Sequence, residues 1–236
     1  MKTRLLPPTD LARIAPLPTD DKVAHLRRFQ FGAVPFTYNP VRRAIPDILQ
    51  ASGSLFESLG PTPMAYVEQN IRRARMSEMG IEQNLKVARA LNTLASVDGY
   101  LARQREFYSM TIGFIDQIKL WSDLALIIEG KPLAVFFDTR RGNRLSPVGR
   151  KFTFSLQHQH IRLADPDMAS ADLAVVQFPV SGTERYGKLF RAADMELFTY
   201  EQLEAMISET YRLWREISEE RFEETKRRSG SAGGLL

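Results

Sequence analysis

The chain contains no cysteine, so neither disulfide bonds nor thiolate metal sites are open to it. Its three histidines are too few to make a convincing zinc site by themselves. No apolar run reaches the roughly 18–20 residues of a membrane-spanning helix. Met1-Lys2 is not followed by a hydrophobic signal core, so cytoplasmic residence is expected and a membrane is not an expected partner. The sequence also lacks a phosphate-binding P-loop, a GxGxxG turn, a nucleophile elbow and a CxxC pair, which removes the usual signatures of nucleotide, hydrolase and thiol chemistry. Charge of one sign is not dominant: 32 Lys and Arg stand against 28 Asp and Glu, a formal +4 that is compatible with nucleic acid without requiring it. What is present is ordinary for a globular chain. With 236 residues, 44% hydrophobic and 25% charged, it is long enough to bury a core without staples.

Residues 1–63 are punctuated by proline, from Pro7-Pro8 to Pro61 and Pro63, which argues against long helices and for either an arm wrapped on the core or a partly ordered extension. Within it 21–29 and 46–49 remain short helix candidates. A helix is expected over 62–79, with Arg72, Arg73 and Arg75 as a solvated basic face or a DNA contact. Gly80 reads as a break, and 81–97 as an amphipathic helix with Leu85, Ala88, Leu91, Leu94 and Ala95 on its apolar stripe. Residues 100–120 carry one or two strands, the second paired with the strand that follows. Ser146-Pro147 is a helix start. The stretch to Leu163 alternates like a strand over Phe152, Phe154 and Leu156 but has helix length, and helix is the reading chosen. Residues 172–179 form a strand apolar on both faces. The last helix opens at Thr199, with Gln202 at capping-box spacing, and its stripe runs from Leu203 to Ile217. Residues 219–228 continue as a charged helix end and 229–236 as a tail. The domain reading is therefore 1–63 extension, 64–218 α/β domain and 219–236 charged end. The order of elements suits a mixed sheet with helices on both faces.

The most informative stretch is Asp123–Arg140, DLALIIEGKPLAVFFDTR, a β-hairpin by its β-branched and aromatic arms around Gly130. A two-residue turn at Gly130-Lys131 puts Asp123 directly across from Asp138. A turn at Glu129-Gly130 makes the two diagonal neighbours instead. In either register Asp123, Asp138 and Arg140 share one face, whereas a three-residue turn would separate them. Two carboxylates about 5–8 Å apart at Cβ resist joint ionisation unless a cation lies between them, and oxygen ligands of this kind suit Mg²⁺ or Mn²⁺.

An Asp opening one strand and an Asp-x-Arg closing the next resembles the signature of the PD-(D/E)XK nuclease superfamily, with Ser122 where the family has Pro and Arg140 where it has Lys. The resemblance spans roughly 80–180. It implies a restriction-endonuclease-like αβββαβ core and metal-assisted hydrolysis of DNA phosphodiesters. Asp123, Asp138 and Arg140 would be catalytic. Asp123 and Asp138 would hold the metal, joined by Glu82 because the first helix of such cores often carries a Glu near the ion; Glu82 is otherwise simply a favourable helix-dipole charge. Arg140, Arg141, Arg144 and Lys151 would contact DNA. The layout also resembles transposon-end endonuclease subunits of the Tn7 type, a mobile-element role. Arg140 is always protonated and cannot be a base. A catalytically inactive nuclease-fold protein that binds DNA, a protein partner or a second copy of itself is therefore the alternative, and an unrelated α/β enzyme or interaction protein a third.

Overall fold

The computed structural model describes residues 4–30, 36–51, 62–112, 116–193 and 195–231. Its centre is a five-stranded sheet built from β1 (Leu101–Gln104), β4 (Leu124–Ile128), β5 (Lys131–Asp138), β6 (Asp172–Gln177) and β9 (Lys188–Arg191), side by side in that order. All neighbours are antiparallel except β5 and β6, which run parallel and are joined by the helix α6 (Pro147–Gln157). Between β1 and β4 the chain forms a separate ribbon of β2 (Met110–Ile112) and β3 (Asp116–Ile118). A two-stranded finger of β7 (Val180–Ser181) and β8 (Glu184–Arg185) precedes β9.

The sheet is covered on both faces because its central strands are apolar on both. In β5, Leu133, Val135 and Phe137 join one core cluster, while Ala134 and Phe136 join the other, as alternation with period two requires. Helices α3 (Asn39–Ile48), α4 (Met64–Arg72) and α5 (Glu78–Asp98) cover the first face through Val41, Ile45, Val67, Ile71, Leu85 and Leu91. The second is covered by α1 (Pro8–Ile14), α2 (Thr19–Arg28), α6 and the long α7 (Tyr200–Ser231). The α/β reading with helices on both faces is thus observed, and along the main sheet the chain runs α5, β1, β4, β5, α6, β6. Among the described residues no helix is long and apolar enough to cross a membrane.

Several local expectations hold. Ser146 caps α6 by accepting a bond from the Gly149 amide (3.2 Å), with Pro147 in the first turn. Thr199 and Gln202 form a reciprocal capping box at the start of α7, at 3.3 and 3.0 Å. The ambiguous segment is α6 followed by one π-helical turn, His158–Arg162. Its strand-like alternation arises because α6 is wedged among α1, α7 and the sheet, so that Phe152, Phe154 and Leu156 are all buried together with Thr153, Ser155 and Gln157.

Among the described residues the proline-rich start holds three short helices, with 21–29 overlapping α2 and 46–49 the end of α3; proline lies in the first turn of α1 and α3, where its missing N–H costs nothing, and only Pro46 lies further inside α3. Others are corrected. Gly80 does not end a helix. It lies in the first turn of α5, capped by Ser77, where a Cβ would come within 2.7 Å of the Phe36 Cβ, so glycine is required by close packing. It is β1, the first strand of 100–120, that pairs with β4; the second strand pairs with β3. Gly113, Phe114 and Ile115, read as part of that strand region, lie outside the described residues, as do 232–236 of the tail; α7 persists to Ser231.

The hairpin turn falls at Glu129-Gly130, with Ile128 opposite Lys131 and both turn residues at positive φ (51° and 77°). A type I′ turn of this kind favours Asn-Gly. Glu129→Asn should therefore raise stability by about 0.5 kcal/mol and Gly130→Ala lower it by about 1 kcal/mol, measured by urea titration. The opposite order would mean that the hairpin is not closed by this turn.

Candidate functional site

The polar chemistry of the fold concentrates where the parallel pair β5–β6 ends. Asp138 and Gln177, the last residues of the two strands, lie opposite one another in register and are buried. Asp138 Oδ2 accepts bonds from the Leu145 amide (2.8 Å) and from Gln177 Nε2 (3.1 Å), and Oδ1 accepts a longer one from the Arg140 amide (3.4 Å). Gln177 Nε2 also donates to the Leu145 carbonyl (2.9 Å), so the basic loop after β5 is pinned at Leu145 through both its N–H and its C=O. Burial pushes the Asp138 carboxyl above its ordinary value, and the opposing pull of its donors and of Arg140 does not cancel this.

Arg140 turns away from the sheet to α1, where it forms a two-pronged pair with Asp10 at 2.7 and 2.5 Å. Burial works to lower the Arg140 guanidinium, but Asp10 prevails and holds it above its usual range. Arg13 joins the same carboxylate at 3.3 Å. On the other side Arg185 is buried and donates to the carbonyls of Phe178, Thr139 and Arg140 and to the Tyr38 hydroxyl. The guanidinium thereby satisfies backbone oxygens just beyond the ends of β5 and β6.

Asp123 stands elsewhere. The register gives it the parity of Asp138, with Ala125 opposite Ala134 on the shared face. It precedes β4 by one residue, however, and its side chain is 48% exposed. Lys119 reaches both of its oxygens (2.8 and 2.9 Å) and the Phe107 amide donates to one (3.0 Å). Glu82 lies on α5, which covers the opposite face of the sheet from that shared by Asp123 and Asp138. The donor set therefore does not fit Mg²⁺ or Mn²⁺: one carboxylate is buried among N–H donors, one is held by a lysine and the third is across the sheet. Among the described residues no group of three or more His, Asp or Glu is placed to hold a metal ion.

Two of the four expected phosphate contacts have partners within the fold. Arg140 is spent on Asp10, and Lys151 lies 4.3 Å above the Phe198 ring. Arg141 is exposed and Arg144 partly so. His160 stacks on Trp121 (5.5 Å between centroids, 22° between planes), and burial lowers both His158 and His160. The residues missed by sequence reasoning are Asp10, Gln177 and Arg185. The one available signal was a glutamine ending the otherwise apolar strand DLAVVQ, since a buried amide there needs partners.

Over residues 9–224 the chain matches the family model described as the sliding clamp-binding bacterial toxin SocB. It is 37% identical over 235 residues to the DNA replication inhibitor toxin SocB of Caulobacter vibrioides (strain NA1000 / CB15N), with 99% of this chain and 98% of the relative covered. The chain belongs to the SocB family. No solved structure matches it.

Membership of the SocB family overturns the PD-(D/E)XK assignment, and with it DNA endonuclease activity and a Tn7-like role in transposition. The physical reason the motif misled is that parity and spacing fix only the face of a strand on which a carboxylate lies. They do not reveal that Asp138 serves as a buried anchor for a loop, nor that Arg140 has a carboxylate partner 130 residues earlier.

Two outcomes test this network. Asp10→Asn leaves the Arg140 charge poorly paired and should cost about 3 kcal/mol, whereas Asp10→Asn combined with Arg140→Met should recover part of that loss; a purely additive double-mutant cycle in chemical denaturation would refute the coupling. The second concerns Asp138. A carboxyl whose folded-state pKa is raised contributes most below its unfolded value and loses that contribution as pH rises through the folded one. The stability advantage of the parent over Asp138→Asn should therefore shrink as pH rises from about 4, and an advantage that grew over this range would show a carboxyl lowered by folding.

Proposed function

We propose that this chain is a toxin that inhibits DNA replication by binding the sliding clamp, and that its action is protein recognition. The observation that carries the reading is the 37% identity extending over 99% of the chain to the DNA replication inhibitor toxin, together with a family match over 9–224. The site geometry is consistent with it. The acidic and basic groups that looked catalytic are engaged in holding the loop after β5 and the first helix, and this supports a rigid binding scaffold. A protein that occupies the clamp's docking surface denies that surface to polymerases, and no covalent step is needed for the inhibition. The principal partner is then a protein, in place of the DNA expected from the basic loop, and the compartment is the one that holds the replisome, the bacterial cytoplasm.

The test uses purified full-length protein and the sliding clamp of the same bacterium. Saturable binding is expected in biosensor measurements. Primer extension that requires the clamp should be inhibited, and extension by the same polymerase without the clamp should not. Supercoiled plasmid should survive incubation with the protein and Mg²⁺ or Mn²⁺. Absence of clamp binding would remove the reading, and metal-dependent nicking abolished by Asp138→Asn would restore the catalytic one.

A further inference from the structure

The helices α3 and α4 pack on α5 and on each other and leave an open groove of about 500 Å³. Its walls are held in place. The buried side chain of Asn84 on α5 accepts from the Val41 amide (3.1 Å) and donates to the carbonyls of Thr37 (2.9 Å) and Gly80 (2.8 Å), which fixes the start of α3. Beyond the end of α3, Gln50 clasps Thr62 through both its amide nitrogen (3.0 Å) and its oxygen (2.8 Å), which ties that end to the approach of α4. The groove is thus formed before anything enters it.

Its lining has two parts. Partly exposed Pro40, Ala74 and Met76 supply an apolar floor over the buried Ala44, Val67 and Ile71 of the core. Arg43, Arg73 and Arg75 stand at the rim, exposed, with Asp47 as the only carboxylate among the described lining residues. Among the described residues these three arginines form no ion pair, unlike neighbouring Arg72 and Arg89, which both engage Glu68. Three guanidinium groups against one carboxylate call for an anionic occupant, and an apolar floor calls for a side chain to bury there. Nucleic acid meets only the first demand. No aromatic ring lines the groove among the described residues, so bases find no stacking platform. We propose that the α3–α4 groove is a docking site for an acidic peptide segment of a protein partner, held by Arg43, Arg73 and Arg75 and anchored by one apolar side chain on the floor. The proposal does not rest on the clamp reading: it would survive a failure to bind the clamp.

The experiment measures fluorescence anisotropy of three labelled octapeptides of Asp and Glu, each carrying two leucines spaced two, three or four residues apart, with the full-length chain. At least one should bind saturably at low salt and weaken as salt is raised. Its affinity should fall at least tenfold in Arg73→Glu/Arg75→Glu and in Asn70→Trp, which fills the groove without changing its charge. Replacing the leucines by serine should weaken it at least fivefold, and Asp47→Asn should strengthen it. Arg212→Glu on α7 is the control and should leave binding unchanged, with each variant's melting curve confirming the fold. The proposal is overturned if none of the acidic peptides binds, if the serine peptides bind equally well, or if Asn70→Trp has no effect. A single-stranded DNA oligonucleotide of equal charge that bound as tightly as the best peptide, and lost that affinity in Arg73→Glu/Arg75→Glu, would equally overturn it and mark a nucleic-acid face.

Discussion

The structure depends on one buried carboxylate. Asp138 ends β5 where the chain must leave the sheet and cross to α6, and a crossover of this kind exposes unpaired backbone at the strand ends. By accepting the Leu145 amide and the Gln177 amide group, Asp138 turns a basic loop into a fixed connection. A buried acceptor of this kind is costly to desolvate and stays only where its donors are in place, so it also fixes the register of β5 against β6. Arg185 performs the complementary task with its donors on the carbonyls at the same strand ends.

This network explains how the chain can carry the residue pattern of a nuclease site without bringing those residues together. An acidic residue at a strand end, a nearby guanidinium and a basic loop suit a metal-dependent nuclease, and here the same residue types pin the exit loop of a parallel strand pair. The two differ in what surrounds the carboxylate. A metal site leaves oxygens facing a common space, whereas Asp138 points both oxygens at N–H groups and Asp123 lies outside, held by Lys119. The same difference gives α1 its place: Asp10 neutralises Arg140, and Leu11, Ala12 and Ile14 seal the core beside it.

Rigidity comes here from helices on both faces of the sheet, α7 contributing Leu203, Leu213, Trp214 and Ile217 on one side and α5 contributing Leu85, Ala88 and Leu91 on the other. The groove between α3 and α4 then stands on the face opposite α7.

Local physics was legible in the sequence. The capping pairs Ser146-Pro147 and Thr199/Gln202, the turn at Gly130, the apolar strands and the stripe of α7 each follow from the conformational preference of a few neighbouring residues, and each appears where expected. The shared parity of Asp123 and Asp138 was legible for the same reason, since period two is a property of the strand alone. The partners of those side chains were not. Asp10 and Arg140 are 130 residues apart, Gln177 and Asp138 are 39 apart, and Gly80 is demanded by Phe36. Which charge is buried, what neutralises it and which glycine answers to packing depend on elements brought together only when both faces of the sheet close. A hydrogen bond or ion pair between distant residues leaves no periodic trace in the chain, so the tertiary structure alone decided that Asp138 and Arg140 hold the fold together.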